Sequence, residues 1–405
     1  MLNAFSIVDY IVLGALLGVF LVQIYWLSRY LAAPARRLRK SKKTPAANEP
    51  SPVSEGVSVI LCAHNESDNL SNYLQALLTQ DYPTYEVIVV DDGSQDATRA
   101  VIDNYMIHDP RLRFTFVPVD AHVGSTKKLA LTLAAKAARY DYLLLTDADC
   151  VPESSHWISE MMAGFRQPID IVLGYGAYFV EKGHINRLVR YDTLFNGLHY
   201  LGAALCGHPY MGVGRNLAYR KRLFFESGGF SHLMNNRAGD DDLFVNSVAT
   251  PTNTAVALNP DSYTWSHTKR SFKEWWLQKR RHVSVSPAYK SATKVRLTIE
   301  PVTRGLLYAL TLAVIIGYGM PLLDLAINGW TSFNPDMDNM LRIIIVGSAA
   351  GLFLVRWILL TAILNVSARR MDQKRFNMGS ILWFDIMLPL TNLWMLAIPR
   401  KQTKW

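Results

Sequence analysis

Long apolar runs lie near both ends of the chain, and between them apolar residues fall in short blocks separated by polar loops. The first run, Val8 to Leu31 (VDYIVLGALLGVFLVQIYWLSRYL), is long enough to cross a bilayer, and Arg36, Arg37, Arg39, Lys40, Lys42 and Lys43 follow at once. Positive charge after the run, not before it, predicts an uncleaved anchor with its amino terminus outside, in preference to a cleaved signal peptide. Two more spans are predicted, Gly305 to Ile327 and Leu341 to Val366, joined by NGWTSFNPDMDN, which carries acids but no Lys or Arg and so belongs outside. The basic ARRMDQKR after the third span returns the chain to the side of the central region. The last run, Ile381 to Ile398, contains Asp385, Pro389 and Asn392 and ends in RKQTKW, so a re-entrant or interface-lying helix is expected in place of a fourth crossing.

After a Pro/Ser/Ala linker (TPAANEPSPVSEG), Val57 to Ala63 forms an apolar, partly β-branched block, followed by polar HNESDN and a helical pattern through Leu70, Leu74 and Leu77. Glu86 to Val90 repeats the layout, breaking at Asp91-Asp92-Gly93-Ser94 before a helical stretch with Ala100, Val101 and Tyr105. A third strand, Tyr142 to Thr146, ends at Asp147-Ala148-Asp149. Strands alternating with helices predict a mainly parallel sheet covered on both faces, an α/β fold, with ligands bound beyond the carboxyl ends of the strands where all three polar loops fall. The expected organisation is an anchor over 1–32, a basic linker over 33–56, a catalytic domain over 57–300 and a membrane region over 301–405.

Composition narrows the functional classes. Half of the 405 residues are hydrophobic, enough for one sizeable core and several spans. The three cysteines Cys62, Cys150 and Cys206 form no CxxC or Cys/His pattern, which argues against structural zinc and disulfides and fits a reducing compartment. The formal charge of +9 sits mainly beside the apolar segments, where anionic membrane lipids account for it without nucleic acid.

Asp147 and Asp149, alternating at a strand end, can reach one hard cation, though a solvated turn is the commoner fate of such a pair. Two more acidic loops on the same sheet edge favour the metal. Asp91 and Asp92 can accept hydrogen bonds from a uracil N–H or ribose hydroxyls, or can simply form an Asp-Gly turn. Lys127, at a predicted helix start, is suited to a diphosphate; its neighbour Lys128 is expected in solvent. In Gly239-Asp240-Asp241-Asp242-Leu243-Phe244 three adjacent acids repel one another unless a cation or proton is near; one can serve as a general base, and the run also suits a helix amino terminus. The stretch from Trp275 to His282 combines aromatic and cationic residues at helical spacing, which equally describes a membrane-interface anchor. His64 and His282 are isolated and are assigned no zinc.

In order, CAHNES, VVDDGSQDAT, STKKLAL, LLLTDADC, GDDDLF and QKRRH resemble the motif series of glycosyltransferase family 2, in its membrane-bound branch with cellulose, chitin and hyaluronan synthases and ceramide glucosyltransferases. The resemblance covers about Val57 to His282. It implies a GT-A fold, a UDP-sugar donor, inversion by direct displacement, and Mg²⁺ or Mn²⁺ on Asp147 and Asp149. It assigns Ala63, Glu66, Asp91 and Asp92 to the nucleoside, Lys127 and Asp147 to the diphosphate side of the donor, and Asp240 to the base, with Asp241 close enough for the assignment to slip by one. Gln278, Arg281 and His282 match a Gln-x-x-Arg-Trp motif with His for Trp, and Gly239 stands where Glu is usual. The expected partners are a nucleotide-sugar donor, membrane lipids and a lipid-linked or glycan acceptor; homo-oligomerisation is left open. The expected location is a multi-pass protein of the cell (inner) membrane with its catalytic domain cytoplasmic. A nucleotidyltransferase would offer a Gly-rich loop in place of CAHNES, and a nucleotide-sugar receptor would have no need of the acidic run.

Overall fold

A computed structural model describes residues 6–41, 55–118, 124–234, 238–328 and 337–397. The linker from 42 to 54, including Lys42 and Lys43, the greater part of the loop expected outside, and the final RKQTKW lie outside the described residues.

The chain opens with α1 (Ile7–Trp26), capped by the Ser6 hydroxyl and continued by a π-helical turn (Leu27–Leu31), then α2 (Ala33–Ser41). The first three strand–helix units are β1 (Val57–Ala63), α3 (Ser67–Leu78), β2 (Tyr85–Asp91), α4 (Thr98–His108), β3 (Leu112–Phe116) and α5 (Thr126–Ala137). There follow β4 (Tyr142–Leu145), β5 (Cys150–Pro152), α6 (Trp157–Met162), β6 (Ile171–Leu173), β7 (Gly176–Tyr178) and the long α7 (His184–Leu205). The domain closes with β8 (Leu217–Arg220), α8 (Lys221–Glu226), α9 (Asp242–Val248), β9 (Thr254–Val256), β10 (Thr264–Ser266) and α10 (Phe272–Val283). The carboxyl-terminal helices are α11 (Ser291–Val314), joined by a π-helical turn to α12 (Met320–Asn328), then α13 (Met337–Arg370) and α14 (Met378–Ala397).

The main sheet runs β3-β2-β1-β4-β8-β6-β9, and β3, β2, β1 and β4 are parallel to one another. β8 is antiparallel to both β4 and β6. Because side chains alternate along a strand, Val57, Val59 and Leu61 pack with Leu70, Leu74, Leu77 and Ile102 of α3 and α4, while Ile60 joins Ala130, Leu131, Leu194 and Leu198 of α5 and α7. Each such side chain, fully buried, contributes on the order of 1.5–3 kcal/mol. The sheet edge at Ala63, Asp91 and Asp147 is therefore one edge, as the sequence pattern predicts. β3 was not anticipated: its LRFTF is short and half-exposed, an edge strand without an apolar block to announce it.

Four helices are long and apolar enough to cross a membrane: Ile7–Leu31, Ser291–Leu323, Asn339–Arg370 and Met378–Ala397. The second begins before the expected domain boundary at 300, because α11 runs without a break through Pro301. The last apolar run is one continuous helix with Pro389 inside it. Its Asp385 is fully buried, accepting from Arg304 of α11 (2.6 Å) and Arg356 of α13 (2.5 Å) and from the Tyr308 hydroxyl. Arg356 reaches on to Gln23 of α1 at 2.8 Å, and Gln23 donates to the Glu300 carbonyl at 3.0 Å. Asp385, the charge that made α14 a doubtful crossing, is thus turned inward onto partners from α11 and α13.

The helices are keyed to the α/β domain through α7. A Cβ at Gly202 would lie 2.1 Å from the Tyr30 carbonyl oxygen, so only glycine lets α7 touch the π-turn of α1. Arg190 donates to the Lys374 carbonyl between α13 and α14 at 2.9 Å, and Asp192 binds Lys279 of α10 at 2.6 and 2.7 Å.

Candidate active site

Each candidate residue is carried by a strand end or helix start on the carboxyl edge of the sheet. β1 and β2 end in register at Ala63 and Asp91, and the Asp92 amide donates to the Ala63 carbonyl at 2.8 Å. The loops beyond are latched together. Asn65, at φ 56°, receives the Gln95 amide on its side chain and gives its own amide to Ser94; Asp96 accepts from the amides of Ser67 and Thr98. These bonds hold the Asp96 carboxyl well below its usual value, Thr98 contributing most. Asp91 accepts from the Ser94 amide at 2.9 Å, so it does make the Asp-Gly turn. Asp92 takes the Thr126 hydroxyl at 2.7 Å, and burial raises its pKa. Glu66 is half-buried, receives the Asn69 amide at 2.5 Å, and is raised by burial with a contribution from the Asp149 charge.

Lys127 occupies the first turn of α5, which Ser125 caps. Its ammonium lies 3.1 Å from Asp147 Oδ1 and 3.4 Å from Asp240 Oδ2, bridging two loops that are over ninety residues apart in sequence. Burial opposes its charge, but Asp147 and Asp240 outweigh that and raise its pKa well above the ordinary value. Lys128 is not in solvent as expected: it is fully buried and donates to the carbonyls of Leu233 (2.9 Å) and Ala238 (3.0 Å). The helix that aims Lys127 at the cleft turns the next residue toward the segment leading to Asp240, and carbonyl oxygens there replace water around the ammonium.

Asp147 and Asp149 follow β4, and one ligand atom of each lies within 4.8 Å of the other and of Cys150 Sγ. Burial works against the Asp147 charge, but Lys127, with Arg215 and Arg281, holds its carboxyl below the usual value. Burial and the Asp147 charge raise Asp149. Burial also pushes the Cys150 thiol well up, which disfavours its thiolate and leaves the two carboxylates as the candidate hard donors. Two carboxylates crowded in this way, offering oxygen to a common point, fit a small hard divalent cation whose charge would relieve their repulsion.

The acidic run divides its labour. Asp240 faces Lys127, whereas Asp241 caps α9, its Oδ2 accepting from the Gly214 amide (2.6 Å) and its Oδ1 from the Asp242 amide (2.8 Å). Asp242 is buried, and burial raises its pKa well above the ordinary value. One run thus supplies both a helix start and a carboxylate facing Lys127. Gly239 stands at φ 83°, and a Cβ there would meet Val285 at 2.8 Å and Leu243 at 2.9 Å, which gives a physical reason for glycine at this position.

Burial and the neighbouring Asp240 push Asp241 up to about 6, above the unfolded value of about 3.9. A raised acid stabilises the fold while protonated, and that contribution is lost as pH rises from about 4 through about 6. Asp241→Asn cannot ionise, so its melting temperature relative to wild type should improve between pH 4.5 and 7. Parallel melting curves at the two pH values check this; a constant offset would mean Asp241 does not titrate in that window.

α10 brings its own residues to the cleft. Gln278 donates to the Tyr178 hydroxyl at 3.4 Å, and Arg281 and His282 are exposed, with Arg281 contributing to the field at Asp147 and Asp240 to that at His282. Trp275 is buried and Trp276 packs on Trp394 of α14. Sequence reasoning missed Arg215. It lies 4.4 Å over the Tyr178 ring, donates to Ser266 Oγ (3.1 Å) and the Gly176 carbonyl (3.0 Å), and adds positive charge beside Asp147 and Asp149. A lone Arg in GVGRN, ahead of an unremarked strand, gave no signal of that position.

The model of the family described as glycosyl transferase family 2 matches residues 58–228. Poly-beta-1,6-N-acetyl-D-glucosamine synthase of Staphylococcus epidermidis is 36% identical over 97 residues, which are 24% of this chain and 22% of that protein. The synthase of the same name from Staphylococcus aureus is 35% identical over the same length, again 24% of this chain and 22% of that protein. The match thus spans about a fifth of these relatives' length. Among solved structures, the mannosyltransferase PcManGT from Pyrobaculum calidifontis, in complex with GDP-Man and Mn2+, superposes with a TM-score of 0.50 over 88% of this chain and 100% of that one. At 20% identity the likeness is one of fold, and the catalytic domain has the GT-A architecture.

Proposed function

We propose, from the premise that residues 58–228 are a glycosyl transferase family 2 domain, that the chain is an inverting, metal-dependent glycosyltransferase. It moves a sugar from a nucleotide donor, UDP-linked, to a lipid-linked or glycan acceptor at the membrane. The observation that carries the reading is the Lys127 ammonium shared by Asp147 and Asp240, which supports assigning the metal ligand, the diphosphate cation and the general base to one cleft. The names of the staphylococcal relatives support an N-acetylhexosaminyl donor and a glycan acceptor.

In this reading Asp91, Asp92, Ala63 and Glu66 receive the nucleoside in the latched loops. Asp147 and Asp149 would hold Mg²⁺ or Mn²⁺, and the bound cation would supply positive charge to the donor diphosphate. Lys127 is displaced from its carboxylate partners toward the phosphates, and Arg281 meets them from α10. Asp240 accepts the proton of the acceptor hydroxyl as that oxygen attacks the anomeric carbon from the side opposite the leaving nucleotide, giving inversion. Gln278 and His282 border the acceptor side. The four apolar helices and the basic residues at their ends support a multi-pass protein of the inner membrane with this domain cytoplasmic.

The test is nucleotide release by the protein in its own membrane lipids, supplied with a panel of UDP-sugars, lipid extract and Mn²⁺ or Mg²⁺. Release from one donor should be abolished by EDTA and by Asp149→Ala, a loss of at least about 10²-fold, since the metal offsets several kcal/mol of developing charge. Product size then distinguishes glycolipid from polymer. Release that is unchanged by both treatments would refute the metal-dependent reading.

A further inference from the structure

Away from the catalytic cleft, the first turns of α7, α10 and α14 line a groove of about 460 Å³. Ile185 and Leu188 of α7, Phe272 of α10 and Trp383 and Phe384 of α14 form apolar walls. His184, Arg187 and Ser380 make the polar rim, Arg187 donating to Ser380 Oγ at a long 3.5 Å. Such a volume accommodates a small-molecule-sized group.

Two features identify the occupant. The groove is continuous with an apolar face that water does not favour: Trp383, Leu390, Leu393 and Trp394 of α14 are each more than half exposed. The groove lies at the junction of the domain with the apolar helices, where Arg190 ties the loop before α14 to α7 and Trp276 of α10 packs on Trp394 of α14. The rim is also cationic. Exposed Lys182, Arg270 and Lys273 flank the lining residues, while the nearby acids are engaged: Glu181 by His267 and Thr268, Glu274 by the Arg270 amide. We infer that this groove holds an acyl chain of an anionic phospholipid, with the phosphate set against Arg187 and His184. The site is separate from the reaction proposed above and does not depend on it.

The full chain is reconstituted in mixed phosphatidylcholine and phosphatidylglycerol, re-extracted gently, and its retained lipid counted by native mass spectrometry. Wild type should retain phosphatidylglycerol in preference to phosphatidylcholine. Arg187→Gln should lower that retention about fivefold, the worth of one basic residue beside anionic lipid. Ile185→Trp, which fills the groove without changing charge, should lower it as well, and Arg187→Lys should preserve it. Asp240→Asn should retain lipid like wild type, so a failed transferase reading leaves this result intact. Equal retention of both lipids by wild type, or wild-type retention in both Arg187→Gln and Ile185→Trp, overturns the inference.

Discussion

Asp240→Asn should lower nucleotide release by about 10²–10⁴-fold while donor binding persists, because an amide keeps the shape of the carboxylate but cannot take a proton. The expectation rests on what separates Asp240 from its neighbours. Asp241 spends both oxygens on backbone amides and Asp242 is buried, whereas Asp240 keeps a carboxylate oxygen 3.4 Å from Lys127. Lys127 is the group proposed to meet the diphosphate, so a base beside it stands next to the anomeric carbon. Binding of labelled donor and turnover, measured on the same preparation, separate loss of the base from loss of the site. If Asp241→Asn loses turnover and Asp240→Asn does not, the base is Asp241.

Asp385→Ala should have the largest effect on stability. Removing this carboxylate strands the Arg304 and Arg356 guanidinium groups between α11, α13 and α14, and breaking a buried pair in this way costs about 3–5 kcal/mol. Arg304 retains Glu300 at 3.0 Å, but Arg356 is 4.0 Å from that carboxylate and has lost its nearest charge. The variant should lose its monodisperse profile in detergent or melt well below wild type. Asp385→Asn combined with Arg356→Gln, which removes charge in a matched pair, should be milder than Asp385→Ala alone. Equal melting of Asp385→Ala and wild type would mean that the network does not hold the helices together.

The local chemistry of the chain was legible without coordinates. β-branched and leucine-rich blocks can bury both faces only in a covered parallel sheet, so the strands at Val57, Glu86 and Tyr142 and their polar ends could be read directly. Apolar runs of span length were equally clear, since helix length and hydrophobicity are properties of contiguous sequence. What sequence left ambiguous was partnership. Lys128 reads as a surface lysine until the fold supplies the carbonyls of Leu233 and Ala238, and Arg215 reads as nothing until β8 and β7 bring it over Tyr178 and beside Asp147. In the same way Asp385 counts against a buried helix until two arginines from distant segments meet it. The sequence by itself determined where apolar surface must be hidden and which side chains could react. Only the tertiary structure decided which buried charges are paired, because pairing depends on approach between segments tens to hundreds of residues apart.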